Sequence, residues 1–410
     1  MRVPCIKCKG SNPSNCGRSF CPLLLKSESM YKVKSKLNNL KQDFQGSSPA
    51  VFVGRFGYPN INVGLLTPPE IKEDAWRYDA PQFWSNNNYQ IPELIDLRSS
   101  LLNNNFKTNI LSARKQDKYL QIGQEVSMAS KPVDLEVNLK NKPIIKTKFE
   151  TVAPPMGPNA ILKNVQITSN PKIHTKVDRV VSDIDLKANE ALKYLYKNKF
   201  DENHLTKILS VGNLGLKKNR KLVPTRWSTT AVHSLIANNI ITKIKDYSFY
   251  DYYAYFGSYI GNYYLILFFP EIWSYELFEM YNPKTSWNIS KEIQYTTDYE
   301  PYDGRKKYAE NCAGGFYSVR MATAEHLKKL KKQASCLVIR VITGEYACPL
   351  GVWVTTSSAR KALENKPIKF SSMKLMLTYA EKLIKKKFNF DISNILKKSI
   401  LLKNLKQQSK

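Results

Sequence analysis

The chain is 410 residues long, with 42% hydrophobic and 11% aromatic residues, which is enough apolar material for two or three domains and excludes a disordered polymer. Its 63 Lys and Arg against 34 Asp and Glu leave a formal charge of +29, an excess that draws polyanions, of which nucleic acid is the commonest in a cell. The longest apolar run, Tyr263 to Phe269, stops at Pro270 and is too short to span a bilayer. Abundant Lys, Asn, Ile and Tyr would also follow from an AT-rich coding bias, so the clustering of charge in the last third is what favours a polyanion partner. Met1-Arg2-Val3-Pro4 shows no signal-peptide pattern, and seven cysteines, four of them in the first 21 residues, suit a reducing compartment. The reading is a soluble, cytoplasmic protein without membrane contact.

Residues 1–30 read as a zinc-binding module. Cys5, Cys8, Cys16 and Cys21 supply the four thiolates of a tetrahedral structural Zn2+, and Gly10 and Gly17 permit the turns around it. The spacing does not match the familiar ferredoxin runs. So short a segment needs the metal for its folding free energy.

Residues 31–150 read as an N-terminal α+β region. Ala50 to Val53 is a buried strand, and it ends in Gly54-Arg55-Phe56-Gly57-Tyr58-Pro59-Asn60. Arg55, Gly57 and Asn60 are candidate ligand contacts there, because glycines beside an arginine at a strand end permit close backbone approach. No Walker or GxGxxG pattern follows. Trp76, Asp79 and Trp84 lie in an aromatic, proline-broken loop, Ile91 to Leu102 is a helix with Pro92 in its first turn, and Gln121 to Leu139 is a polar stretch.

Residues 151–381 read as the central α+β core, opened by the rigid Ala153–Pro158 turn. Ser182-x-x-Asp185 reads as a capping box for a helix through about Tyr196. In Lys221–Val232, the hydroxyl run from Ser228 to Thr230 reads as a helix start, placing Arg226 and Trp227 near orphan N–H groups. Arg226, Trp227 and Ser228 are therefore a candidate phosphate or nucleotide docking point, with an arginine stacked on a half-buried indole as the competing structural reading. Ile260 to Phe269 is a core strand, Trp273, Glu276 and Glu279 continue on a helix, and Met321 to Gln333 is a basic helix. Cys336–Ile342 and Gly351–Thr355 are strands, with Ser357-Ser358 capping a short helix. Between them, Asp298, Glu300 and Asp303 fall within 23 positions of Arg305 and Arg320. Asp298 and Glu300 are candidate acid/base residues and Arg305 and Arg320 candidate phosphate clamps, with internal ion pairs as the equal alternative. Residues 382–410 form a basic amphipathic tail suited to a partner groove, a phosphate backbone or plain solvation.

The four-Cys cluster, Ser48–Asn60, the Ala153–Gly157 turn, Leu222–Ser228, Asp298–Tyr308 with Gly314-Gly315, and Pro349–Trp353 together resemble the archaeal Nre family of DNA repair proteins. The resemblance runs in order along nearly the whole chain. It implies a zinc-finger-bearing protein of DNA damage repair, with an enzymatic activity expected but unassigned. It also implies sliding-clamp contact through a C-terminal Gln, aliphatic and aromatic motif, from which this chain departs, since Leu402 to Lys410 holds no aromatic pair after a Gln. The expected fold class is α+β, a mixed sheet core with an N-terminal four-Cys zinc module and a basic C-terminal helix. Three functions stay open: DNA binding in repair through an arginine/aromatic cleft, an enzyme acting on a nucleotide or nucleotide adduct, and an adaptor recruiting repair factors.

Overall fold

The computed structural model describes residues 8, 10–11, 20–38, 43–115, 117–144 and 154–408. The chain forms two compact units, one built on Cys5–Ile236 with Cys348–Leu350, the other on Ala237–Ala347 with Gly351–Lys410. The α+β expectation holds: each unit contains one six-stranded mixed sheet. Among the described residues no helix is long and apolar enough to cross a membrane.

The first unit begins with helix α1 (Pro22–Asn38) and strands β1 (Asp43–Ser48), β2 (Ala50–Val53) and β3 (Asn60–Thr67). Helices α2 (Pro81–Asn86) and α3 (Ile91–Ser99) lead to β4 (Leu102–Asn109), α4 (Lys118–Met128), β5 (Val133–Leu139) and β6 (Asn159–Ile167). Helices α5 (Thr175–Ser182), α6 (Ala188–Lys197) and α7 (Glu202–Ser210) follow, and α8 (Thr225–Ile244) starts here. The sheet order is β1-β5-β6-β4-β3-β2, antiparallel except at β4–β6. Ile61, Val63 and Leu65 of β3 bury with Val133, Leu135 and Val137 of β5 and with Leu120 and Val126 of α4.

Two expectations fail in this unit. Gln121–Leu139 is not an open polar stretch but most of α4 and all of β5. The VDLEVNL run buries every second residue, a strand pattern that the interleaved Asp, Glu and Asn disguise. Ser182-x-x-Asp185 opens no helix: α5 ends at Ser182 and α6 begins at Ala188. Asp183 Oδ1 instead accepts from the Asp185 N–H at 3.0 Å, a local turn that competes with the helix. Strand β6, which follows residue 150, pairs with both β4 and β5.

A buried charge cluster ties the loop before α2 to α3 and α7. Asp79 meets Arg98 at 2.9 Å and Lys207 at 3.3 Å, and accepts from Asn203 Nδ2 at 2.9 Å. Burial pushes the Asp79 carboxyl up, but Lys207 and Arg98 outweigh it and hold it below its ordinary value. His204, one turn away on α7, has a buried Nε2 with no hydrogen-bond partner among the described residues. Burial, with help from the Lys207 charge, pushes His204 down to about 3. The unfolded chain therefore takes up the proton first, and stability present above about pH 6.5 is lost as pH falls towards 3. His204→Phe keeps the ring contact with Phe200 and removes this linkage. Between pH 7 and 5 the natural chain is expected to lose about 2 kcal/mol more than the variant, read from urea unfolding at both pH values.

The second unit contains β7 (Tyr253–Tyr259), β8 (Asn262–Phe269), β9 (Ser274–Tyr281) and β10 (Gln294–Glu300). Helix α9 (Ala313–Leu330) precedes β11 (Ser335–Ile342), and α10 (Trp353–Glu364) precedes β12 (Ile368–Lys369). The chain closes with α11 (Met373–Phe388), α12 (Ser393–Lys398) and α13 (Ile400–Gln408). The order is β10-β9-β11-β8-β7-β12, with β9 and β11 parallel. Tyr275 against Phe316, and Gly257 against Ala362, place α9 and α10 on one face.

The segment expected as a helix around Glu276 and Glu279 is β9, buried along all but its last residue. Glutamates three apart mimic a helical face, but each faces an opposite side of the sheet and has its own partner. Gly351–Thr355 is not a strand; it leads into α10, where Ser358 lies mid-helix and donates to the Tyr259 carbonyl at 3.1 Å. Helix α9 starts at Ala313, eight residues before the expected Met321. Gly314 and Gly315 are absorbed into it because a side chain at Gly315 would run into the Glu279 carboxylate below.

The basic tail is the other layer of this unit rather than one free helix. Met376, Ile384, Ile392, Ile395, Leu396, Leu401, Leu402 and Leu405 bury against Leu265, Leu267, Phe269, Phe278 and Ile339. Glu276, fully buried, points into that layer and takes the Ser399 hydroxyl and the N–H groups of Ile400 (3.1 Å) and Leu401 (3.0 Å). A strand carboxylate thus caps the N-terminus of α13, where a helix welcomes negative charge. Burial pushes its pKa up, opposed by these hydrogen bonds. Glu276→Ala strands all three donors, and a loss of roughly 2 kcal/mol is expected in urea unfolding; an unchanged midpoint would show that the cap is not used.

Candidate nucleic-acid interface

Strands β2 and β3 form a hairpin whose tip is the Gly54–Pro59 loop. Gly54 N–H donates to the Asn62 carbonyl and Asn60 N–H to the Gly57 carbonyl, both at 2.8 Å, which closes the tip tightly. Gly57 sits at φ +82°, and a Cβ there would fall 2.7 Å from the Asn60 carbonyl, so only glycine suits the turn. The Tyr58–Pro59 peptide is cis. Arg55, Phe56 and Tyr58 are left in solvent, Phe56 at 81% exposure, with the Arg55 guanidinium 5.0 Å over the Phe56 ring.

The start of α8 lies against this tip. Val53 N–H donates to Thr225 Oγ1 at 2.9 Å, and the Tyr58 and Trp227 rings lie 5.5 Å apart at a 52° tilt. Trp227 is 46% exposed, and Arg226 beside it is exposed. A second tie runs through residues 109–114. Ile110 N–H donates to the Pro59 carbonyl (3.0 Å), Leu222 N–H to the Ile110 carbonyl (2.9 Å) and Asn109 Nδ2 to Asn60 Oδ1 (2.9 Å). Arg114, also exposed, donates to the Arg220 carbonyl at 2.8 Å. Three separate segments therefore assemble one exposed surface of two arginines and three aromatic rings, rimmed by Arg114.

The helix starts at Thr225, three residues before the predicted hydroxyl run. Pro224 O already accepts from the N–H groups of Trp227 (2.8 Å) and Ser228 (2.9 Å), and the buried Ser228 hydroxyl donates to the Val223 carbonyl. Ser228 therefore belongs to the helix start, and the surface offers Arg226 and Trp227 alone from this stretch. Trp84 is 1% exposed and donates to the Arg77 carbonyl, so it is core. Trp76 is exposed, edge-on to Phe83 at 4.8 Å.

The other predicted constellation, in the second unit, is internal. Glu300, buried on β10, receives Arg320 Nε at 2.8 Å and the Trp273 indole N–H at 3.2 Å. Arg320 also donates to Asn238 at 2.7 Å. Asp298 pairs with Arg305 at 3.2 Å and accepts the Cys312 N–H at the start of α9 at 2.8 Å. Arg305 spans the carbonyls of Tyr299, Lys307 and Tyr308. Both guanidinium groups are thus occupied by the protein. The four arginines divide two and two between the units: Arg55 and Arg226 on the first, Arg305 and Arg320 in the second.

Sequence reasoning missed a third buried pair, Glu279 with Arg340, in register on the parallel strands β9 and β11. Asn262 and Tyr281 hydrogen-bond to the same two groups. The signal was available, since a lone Arg in CLVIRVI must be paired to be buried. Burial raises the thiols of Cys312 and Cys336, leaving them protonated and unreactive. Of the expected zinc ligands, Cys8 and Cys21 are described and Cys5 and Cys16 lie outside the described residues. Among the described residues no three His, Cys, Asp or Glu side chains gather to hold a metal.

Glu300→Gln leaves Arg320 charged and buried without its counter-ion, and a loss of about 3 kcal/mol or more in stability is expected in denaturant unfolding. A variant as stable as the natural chain would mean that the pair is not formed.

Fold and site together define a chain of two α+β units, the first carrying an exposed basic, aromatic hairpin-and-helix surface. Comparison with known proteins narrows the class. The models for the N-terminal and C-terminal parts of archaeal Nre match residues 15–288 and 300–410. The chain is 39% identical to the DNA repair protein NreA of Archaeoglobus fulgidus, over 94% of this chain and 95% of that protein. It is 35% identical to that organism's DNA repair protein NreB over 99% of both chains, and 35% identical to NreA of Haloferax volcanii over 78% of both. No solved structure matches it. The chain belongs to the archaeal Nre family.

Proposed function

We propose that this chain is a DNA repair protein that holds DNA through the surface made by the β2–β3 tip and the start of α8, with unpaired bases stacked on its rings. The exposed Phe56, on the same tip as Tyr58 of the Tyr58–Trp227 pair and under Arg55, carries the reading, because a ring left in solvent adds nothing to the core. A base stacked on an aromatic ring is worth about 1–3 kcal/mol and is tolerant of sequence, and arginines beside it take the phosphates. The names of the relatives, DNA repair proteins, support the same direction.

Asp298 and Glu300 are engaged by internal arginines, and no role in turnover is proposed for them. Cys5, Cys8, Cys16 and Cys21 would hold a structural zinc that orders the N-terminus, a four-thiolate set suited to that ion. Leu402 and Leu405, in the stretch where the family's clamp motif would fall, are buried, which commits that stretch to packing on the sheet.

Phe56→Ala with Trp227→Ala in the full chain is expected to weaken single-stranded oligonucleotide binding about tenfold or more, with the salt dependence unchanged. Fluorescence anisotropy across a salt series reads both quantities. Equal affinity of variant and natural chain would remove the stacking surface from the function.

A further inference from the structure

We infer that the outer layer of the second unit is a separate surface for the phosphate backbone of double-stranded DNA. The inference rests on the DNA-binding reading and extends it to a second place on the molecule.

Helices α11, α12 and α13 turn their apolar residues onto the sheet, which fixes their outward faces. Those faces are lysine-rich. Lys382, Lys385 and Lys386 lie at i, i+3 and i+4 on α11, one exposed stripe, and Lys397, Lys398 and Lys403 continue the exposed charge on the next two helices. Between Met373 and Gln408 the only acidic residues are Glu381, Asp391 and no other. Asp391 is partly used in its own turn, accepting the Ser393 N–H at 2.8 Å.

Three features select a duplex backbone as the occupant. A helix that lies in a bilayer surface turns its apolar face outward, whereas these helices turn theirs inward and leave only Leu375 and Ile400 as scattered exposed apolar residues. Tyr379 and Phe388 are partly buried against Phe370 and Tyr263, so the layer has no open ring on which an unpaired base could stack. Lysines act as point charges on flexible stems, suited to phosphates whatever the sequence. The excess of positive charge is thus displayed on a surface that the core of the unit holds in shape.

The test replaces Lys382, Lys385 and Lys386 by Gln together in the full chain and follows binding of a blunt duplex across a salt series. Exposed glutamines leave the fold intact, which thermal melting checks. Neutralising three phosphate contacts is expected to reduce the slope of log K against log salt by roughly 2–3. An unchanged slope and affinity overturn the inference. So does loss of binding to phosphatidylserine vesicles with duplex binding retained, which would assign the layer to a membrane. The Phe56→Ala, Trp227→Ala variant, run on single strands in parallel, separates the two ideas. If that variant loses binding and the lysine variant does not, only the second surface is wrong; if neither changes, the DNA-binding reading itself fails.

Discussion

The hydrogen bond from Val53 N–H to Thr225 Oγ1 joins the end of a strand to the start of a helix 172 positions later, and the candidate interface depends on it. The tip closes on itself, and this tie is what sets the start of the helix, and with it Trp227, against the tip. With it, Tyr58 and Trp227 meet, and Phe56 is exposed on the same tip. The Pro59–Ile110–Leu222 chain of backbone bonds supports the same junction from the other side. The junction is therefore held mainly by backbone groups, with the Thr225 hydroxyl and the Asn109–Asn60 pair, while Arg55, Phe56 and Arg226 stay exposed.

The buried cations among the described residues are mostly arginines. The arginines of the interior, Arg98, Arg320 and Arg340, pair with Asp79, Glu300 and Glu279. Planar guanidinium groups with several donors can satisfy a buried carboxylate and a neighbouring amide together, as Arg320 does with Glu300 and Asn238. Lysines stay mainly outside, where the net charge of +29 is expressed. The charge total alone could not separate these roles, since an arginine in an ion pair and a lysine in water count alike.

The α+β class, the β2 strand with its glycine-arginine tip, the core strand at β8 and the helix at Ile91 were legible because local pattern and final burial agree there. The failures at β9 and β5 share one cause. In β9 and β5, acidic or amide residues interrupt an apolar pattern and are matched by partners far along the chain, such as Arg340 for Glu279 and Ser399 for Glu276. No local rule reveals such partners. The amphipathic pattern of the tail is legible, but its apolar side has a sheet to cover, and that sheet begins at Tyr253, far earlier in the chain. For the site, Arg55, Phe56, Arg226 and Trp227 were visible as residue types; that the tip and the helix start touch was not. Asp298 and Glu300 looked equally chemical in the sequence, and only their contacts distinguish them.

The central claim is that unpaired bases lie on the rings at the hairpin tip. Photo-crosslinking of the full chain to an iodouracil-substituted single strand, with the attachment points mapped by mass spectrometry, tests it most directly. The account predicts adducts at Phe56, Tyr58 and Trp227. Efficient crosslinking confined to other parts of the chain, with these three rings unmodified, would contradict it.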